Sequence, residues 1–266
     1  MNRRQITITA LVLLFYVIAA YIVPTFLMSK DIWLRLVFKK VCPLLLILLA
    51  LFIIHKQERN LWEAWGVRSG FGRGLGFAFL MTLPMLIAYG ILSQININIT
   101  PNHIFYGVLI APIFEELLYR GFLFGQLYRF GGWGFVPAGL LNALIFGALH
   151  LYQAHDFGSA IAVFAVTALG GLWFAWLYAE WNYNLWIPIF LHLFMNAWWM
   201  IFEIDSSAIG GWYANIFRAI TIAASIIITI RIRKKQGKWN ITKNTLLLNK
   251  KMPLQLISFK STNHTS

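Results

Sequence analysis

Apolar runs long enough to cross a bilayer constrain this chain more than any other feature. A hydrocarbon core takes roughly 20 helical residues to span, and only helices or closed barrels satisfy their own backbone groups there. Eight segments approach that length: 6–28, 34–55, 74–93, 104–128, 134–153, 158–179, 184–202 and 212–232. The 266 residues are 59% hydrophobic and 12% charged, where a soluble domain carries about a quarter charged residues. The expected fold class is all-α, a polytopic membrane helix bundle of about eight transmembrane helices. The run from Ile6 to Met28 exceeds the roughly 7–15 apolar residues of a signal-peptide core, so it reads as a retained first span.

Charge placement supplies an orientation. The formal charge is +13, and nine of the 22 Lys and Arg lie between Arg231 and Lys260, where there is no Asp or Glu. With an even number of spans, Arg3, Arg4, the Lys56/Arg59/Arg68/Arg73 loop, Arg129 and this tail share one side. The positive-inside rule makes that side cytoplasmic, and the excess charge faces anionic lipid rather than nucleic acid. Both termini are expected in the cytoplasm of a bacterial-type inner (plasma) membrane protein. The first loop is the exception, with Lys30 and Arg35 outside and Lys39 and Lys40 opening the second span. The organisation expected is 1–73, two helices and a cytoplasmic loop; 74–232, a membrane core; and 233–266, a basic tail. "LWEAWGV" within the 55–74 loop reads as a short interfacial helix with tryptophans at headgroup depth. The single cysteine, Cys42, leaves no intrachain disulfide and no CxxC site.

Against this background "LIAPIFEELLYRGFLFGQLYRF" (109–130) is costly. A charged side chain at the centre of a span costs about 2.5–3.5 kcal/mol on insertion scales. Glu116 and Arg120 are four apart, in the order that places both on one helix face. Glu115 is rotated by about 100° and is left for another partner. Later spans offer polar residues at the same spacing: His150 four after Phe146 and two turns after Asn142, and Asn196 four after His192. Taken singly, an internal ion pair, a satisfied buried histidine or interhelical hydrogen bonding would account for each. Together they gather two carboxylates, two imidazoles, amides and a guanidinium inside apolar segments. His55, His103 and His155 fall near interfaces and receive no role.

At these residues the chain resembles the CPBP family of type II CAAX prenyl endopeptidases, bacteriocin-processing proteins and their Abi relatives. That family is marked by EExxxR, FxxxH and HxxxN on separate membrane helices, present here as "EELLYR" (115–120), "FGALH" (146–150) and "HLFMN" (192–196). The likeness covers about residues 70–205. It implies an intramembrane endopeptidase with a cavity open to the cytoplasmic side, acting on a small or lipid-modified peptide or membrane protein. Carried over, Glu115 with His150 would activate water, Glu116 would hold Arg120, and His192 and Asn196 would stabilise the oxyanion. His150, His192 and Glu115 could instead form a His₂Glu zinc set, although there is no HExxH; the reading leans to metal-free chemistry. The rivals are a catalytically idle scaffold or self-immunity protein of the same fold, and a proton-coupled transporter, whose usual internal repeats are not visible here.

Overall fold

The computed structural model describes residues 1–23, 37–56 and 60–249. Those residues form an all-α bundle, and among them there are no strands. Lys30, Arg35, Arg59 and the tail beyond Asn249 lie outside the described residues.

The helices in chain order are α1 (Arg3–Ile22), α2 (Cys42–His55), α3 (Leu61–Trp65), α4 (Phe71–Leu92) and α5 (101–129). They continue as α6 (Phe135–Leu149), α7 (Phe157–Glu180), α8 (Trp186–Ile201), α9 (Trp212–Gln236) and the short α10 (Lys243–Leu246). Among the described residues five helical stretches are long and apolar enough to cross a membrane: Arg3–Ile22, Phe71–Leu92, Phe135–Gln153, Phe157–Glu180 and Trp212–Gln236. The three other expected spans also form as helix, each with a reason for falling short. The 34–55 segment lies partly outside the described residues, the 104–128 segment carries the charged motif, and 184–202 becomes the 16-residue Trp186–Ile201. Outward side chains such as Leu80, Ile87 and Ile91 are more than half exposed, as expected where lipid rather than water covers them. The protein is a multi-pass membrane bundle.

The helix α5 departs from regular α geometry twice, at Ile104–Ile110 and Glu116–Phe124, where the turns are wide and π-type. The first closes with Ala111 N–H bonded to Tyr106 O, immediately before Pro112. Proline lacks the N–H that an α turn would use there, and a π-type turn is a recognised way to absorb such an interruption. The second closes with Gly125 N–H on Arg120 O. It begins at the glutamate pair itself.

Two apolar clusters enclose the middle of the molecule. One joins α1, α2, α5, α6 and α7 through Val12, Leu51, Phe122, Leu127, Phe146 and Tyr178. The other joins α4, α7, α8 and α9 through Phe77, Met81, Phe174 and Leu191. The short helix expected at "LWEAWGV" forms as α3, and its Trp65 turns inward. It is buried and its indole N–H donates to Leu117 O at 3.0 Å, while Trp62 stays half exposed. The tail is a departure from expectation, since α9 runs to Gln236 and residues 240–249 fold back onto the bundle. Tyr128 donates its hydroxyl to Asn240 O at 3.0 Å, and Gly134 N–H reaches Leu247 O at 3.1 Å.

Candidate active site

Where α5, α6, α7 and α8 meet, Glu116 and Arg120 are both fully buried and paired at 2.9 Å. The same Glu116 oxygen, Oε1, lies 2.8 Å from His192 Nδ1. One carboxylate oxygen therefore gathers a guanidinium from its own helix and an imidazole from α8. Arg120 is boxed by aromatic rings, its guanidinium carbon 4.2 Å from the Phe146 ring centroid and 5.3 Å from that of Phe174. Cation–π contacts of this kind strengthen when desolvated. Gly171 of α7 leaves room for this box, because a Cβ there would stand 3.4 Å from Arg120 Nη2.

Glu115 has a different environment. Its side chain is 23% exposed, and its Oε2 lies 3.9 Å from His192 Nε2. His192 thus sits between the two glutamates. Because Glu116 already accepts from Arg120, a neutral His192 carries its proton on Nδ1 and presents a lone pair at Nε2. An oxyanion-donor role at Nε2 therefore requires the imidazolium, a condition the HxxxN spacing did not reveal. Asn196 ties α8 to α5 by donating from Nδ2 to Gly107 O at 3.1 Å. The amide's second N–H is left for other work.

His150 corrects the expectation that every motif residue lies well inside a span. It is the residue that ends α6, leading into the turn 151–153. Its Nδ1 lies 2.7 Å from Phe146 O, and its ring packs on Phe146 at 4.4 Å. A carbonyl partner fixes the proton on Nδ1 and leaves Nε2 as the free lone pair. Among the described residues His150 makes no hydrogen bond or ion pair to either glutamate; Phe146 joins it to Arg120. The arrangement thus brings together Glu115, Glu116, Arg120 and His192, with Asn196 one turn along α8 and His150 one aromatic ring away.

Sequence reasoning missed Phe174 and Gly171. Their only signal was "ALGGLWF" inside an otherwise ordinary apolar span. Asn142 is fully buried on the same side, its Nδ2 3.4 Å from Gly171 O and its Oδ1 without a partner among the described residues. Glu116 Oε2 and Arg120 Nε and Nη2 are likewise unpartnered. Buried polar atoms in such a group need donors or bridging water.

The zinc set His150, His192 and Glu115 can be tested on this geometry. Among the described residues no three His, Cys, Asp or Glu side chains gather closely enough to hold a metal ion. His192 has one nitrogen committed to Glu116, and His150 stands apart at its helix end. The arrangement does not fit a three-ligand centre, and no step below uses one.

The depth of the site is asymmetric. Glu115 is midway along α5, whereas His150 closes α6 about 22 Å, at 1.5 Å per residue, from that helix's start at Phe135. His150 thus lies toward the end bearing the loops 93–100, 150–156 and 202–211, whereas Glu116, Arg120 and His192 stand at mid-depth or nearer the basic end. Ala208 N–H on Gln153 Oε1, at 2.8 Å, links two of those loops.

Fold and site together define a polytopic membrane protein with a buried glutamate–arginine–histidine centre. Its residues 97–198 match the model of the type II CAAX prenyl endopeptidase Rce1-like family. The match includes all three motifs. Among curated relatives, YdiL of Bacillus subtilis (strain 168), described as a membrane peptidase, is 35% identical over 109 residues, covering 41% of this chain and 40% of YdiL. The membrane-embedded CAAX protease MroQ of Staphylococcus aureus (strain USA300) is 28% identical over 149 residues, covering 49% of this chain and 56% of MroQ. The chain thus spans about half the length of the curated relatives it matches. No solved structure matches it significantly.

Proposed function

We propose that this chain is an intramembrane endopeptidase that hydrolyses a peptide bond in a small or lipid-modified peptide or membrane protein. The observation that carries the reading is the inequality of the adjacent glutamates. Glu116 is sealed and held by Arg120 and His192, while Glu115 keeps a partly open carboxylate whose one nearby basic partner, His192 Nε2, stands 3.9 Å away. Such a carboxylate suits a general base.

Glu115 takes a proton from water, and the resulting hydroxide adds to the scissile carbonyl carbon. The tetrahedral oxyanion is stabilised by the free N–H of Asn196 and by His192 when its ring is protonated. Collapse breaks the C–N bond, and the proton held by Glu115 passes to the leaving amine. Glu116 and Arg120 position His192, and His150 Nε2 helps to orient the water. No protein metal ligand is needed in this scheme, so prolonged chelation of purified protein should leave turnover intact. Loss of activity together with about one equivalent of zinc would replace it with a metal mechanism.

The orientation proposed keeps both termini cytoplasmic, as the basic residues require. The glutamates and His192 then lie at mid-depth between the two faces. Thiol labelling of cysteines introduced at 153–156 and in the 60–70 loop tests this orientation, the first reacting from outside and the second only from within. Comparing membrane peptides of wild-type and Glu115→Ala cells tests the activity. Identical peptide profiles would leave only the scaffold reading.

A further inference from the structure

At the basic end, well away from the glutamate pair, lies a cavity of about 1060 Å³ between the start of α4, the end of α9 and the turn joining α7 to α8. Four arginines line it, Arg68, Arg73, Arg129 and Arg233, with only two carboxylates, Glu63 and Glu180. Both carboxylates are spent. Glu63 pairs with Arg68 at 2.9 Å and Glu180 with Arg233 at 3.2 Å. Arg129 donates to Ala64 O, Glu63 O and the Tyr178 hydroxyl, and stacks on Tyr183 at 4.4 Å, but meets no carboxylate among the described residues. Arg73 has no polar partner among them. Two guanidinium charges are therefore uncompensated in one concavity.

The surroundings say what kind of anion would fit. Phe71, at the cavity's edge, begins an exposed apolar strip that continues one and two turns along α4 as Leu75 and Phe79. Phe71 and Phe79 pack on Phe190 and Phe194 of α8, extending the strip sideways. A charged concavity opening onto a lipid-facing apolar strip matches an amphiphile with an anionic head and acyl chains. The tail after Asn249 is a poor occupant on charge, since 250–266 adds three lysines and no Asp or Glu.

We propose that this cavity binds the phosphate group of an anionic phospholipid, with Arg73 and Arg129 on the phosphate and an acyl chain along Phe71, Leu75 and Phe79. The inference owes nothing to the catalytic reading and would survive its failure. It goes beyond the diffuse attraction of any basic face to anionic lipid, because it assigns particular residues and a shape.

The test uses purified full-length protein in detergent, titrated with phosphatidylglycerol, phosphatidylcholine or inorganic phosphate, and read by thermal unfolding and native mass spectrometry. Phosphatidylglycerol should stabilise the protein and remain bound, while the other two should not. Arg73→Gln should weaken phosphatidylglycerol binding about five-fold or more. Gly72→Phe should do the same sterically, because a Cβ at Gly72 has nothing within 4 Å to meet and the ring would fill the cavity. Arg231→Gln removes the same charge from an exposed position outside the cavity and should change little. Equal weakening by Arg231→Gln and Arg73→Gln would reduce the site to general surface charge and overturn the proposal. Inorganic phosphate binding as well as phosphatidylglycerol would overturn the lipid assignment in favour of a soluble phosphate compound. If Gly72→Phe fails to fold, the two arginine variants still decide.

Discussion

Among the described residues the bundle contains two buried glutamate–arginine pairs, and they are built differently. At the basic end, Glu180 accepts Ile241 N–H at 2.9 Å, Asn240 N–H at 3.3 Å and the approach of Arg233 Nε at 3.2 Å, so both oxygens are used. In mid-bundle, Glu116 concentrates Arg120 and His192 on one oxygen and leaves the other bare. Arg233 also has Asn182 and Gln236, at 3.4 and 3.1 Å, whereas Arg120 has aromatic faces and two unpartnered nitrogens. The first pair is the more fully bonded clamp, with Arg233 Nε its one buried atom lacking a hydrogen-bond partner among the described residues. The second holds donor and acceptor capacity in reserve, which suits a place where water and substrate must enter.

That contrast can be broken most sharply through activity. Glu115→Gln should cut peptide processing by about 10²–10⁴-fold, the usual contribution of a positioned general base, with the protein still inserted at normal abundance. Glu180→Gln should leave the rate per folded molecule unchanged. Mass-spectrometric detection of cleaved peptide, normalised to immunoblotted protein, separates the two, and wild-type turnover in Glu115→Gln would end the protease reading.

Stability comes next in size. Arg120→Ala strands Glu116 and should destabilise by about 3–5 kcal/mol, the typical result of removing one member of a buried pair. Replacing the whole pair, Glu116→Leu with Arg120→Met, should recover part of that loss, because uncharged groups of similar shape need no partners and His192 Nδ1 alone then loses its acceptor. The corresponding Glu180→Leu with Arg233→Met should not recover, since Asn240 and Ile241 N–H then lose their acceptor. Denaturant unfolding of the three variants in one detergent measures the difference. Full recovery of both double variants would erase the distinction between the pairs.

Glu180→Gln alone should cost less, about 1.5–3 kcal/mol for charged hydrogen bonds, because Arg233 keeps two other acceptors. The smallest expected effect lies outside the membrane. Asp156 caps α7, and the Ser159 backbone N–H holds its carboxyl below the usual carboxylate range. Since the folded value is depressed, its stabilising effect is complete above the ordinary aspartate value near pH 4 and fades as pH falls through the lower folded value. Hydrogen exchange at the first turn of α7 should rise below about pH 4 in wild type and lose that dependence in Asp156→Asn.

Much of this was legible beforehand, for identifiable reasons. Long apolar runs and 3.6-residue spacing located the helices, and the cost of buried charge singled out Glu115, Glu116 and Arg120. What stayed hidden depends on chain segments far apart. The Glu180–Arg233 clamp joins residues 53 positions apart, and its other donors lie at 240 and 241, within what reads as a basic tail. The wide turns of α5 were also invisible, because Pro112 marks an interruption without saying how the backbone absorbs it. His150 looked interior because its segment is apolar to Gln153, yet the helix ends one residue before it.

The docked tail also bears on how the protein is made. Glu180 enters the bundle with α7, but Arg233 and the Asn240 and Ile241 amides are synthesised more than 50 residues later. Throughout that interval Glu180 lacks its final partners, so the last membrane helix cannot simply be added to a completed core. A chain interrupted between Arg233 and Asn240 would carry nearly all of its apolar surface and still lack half of the clamp.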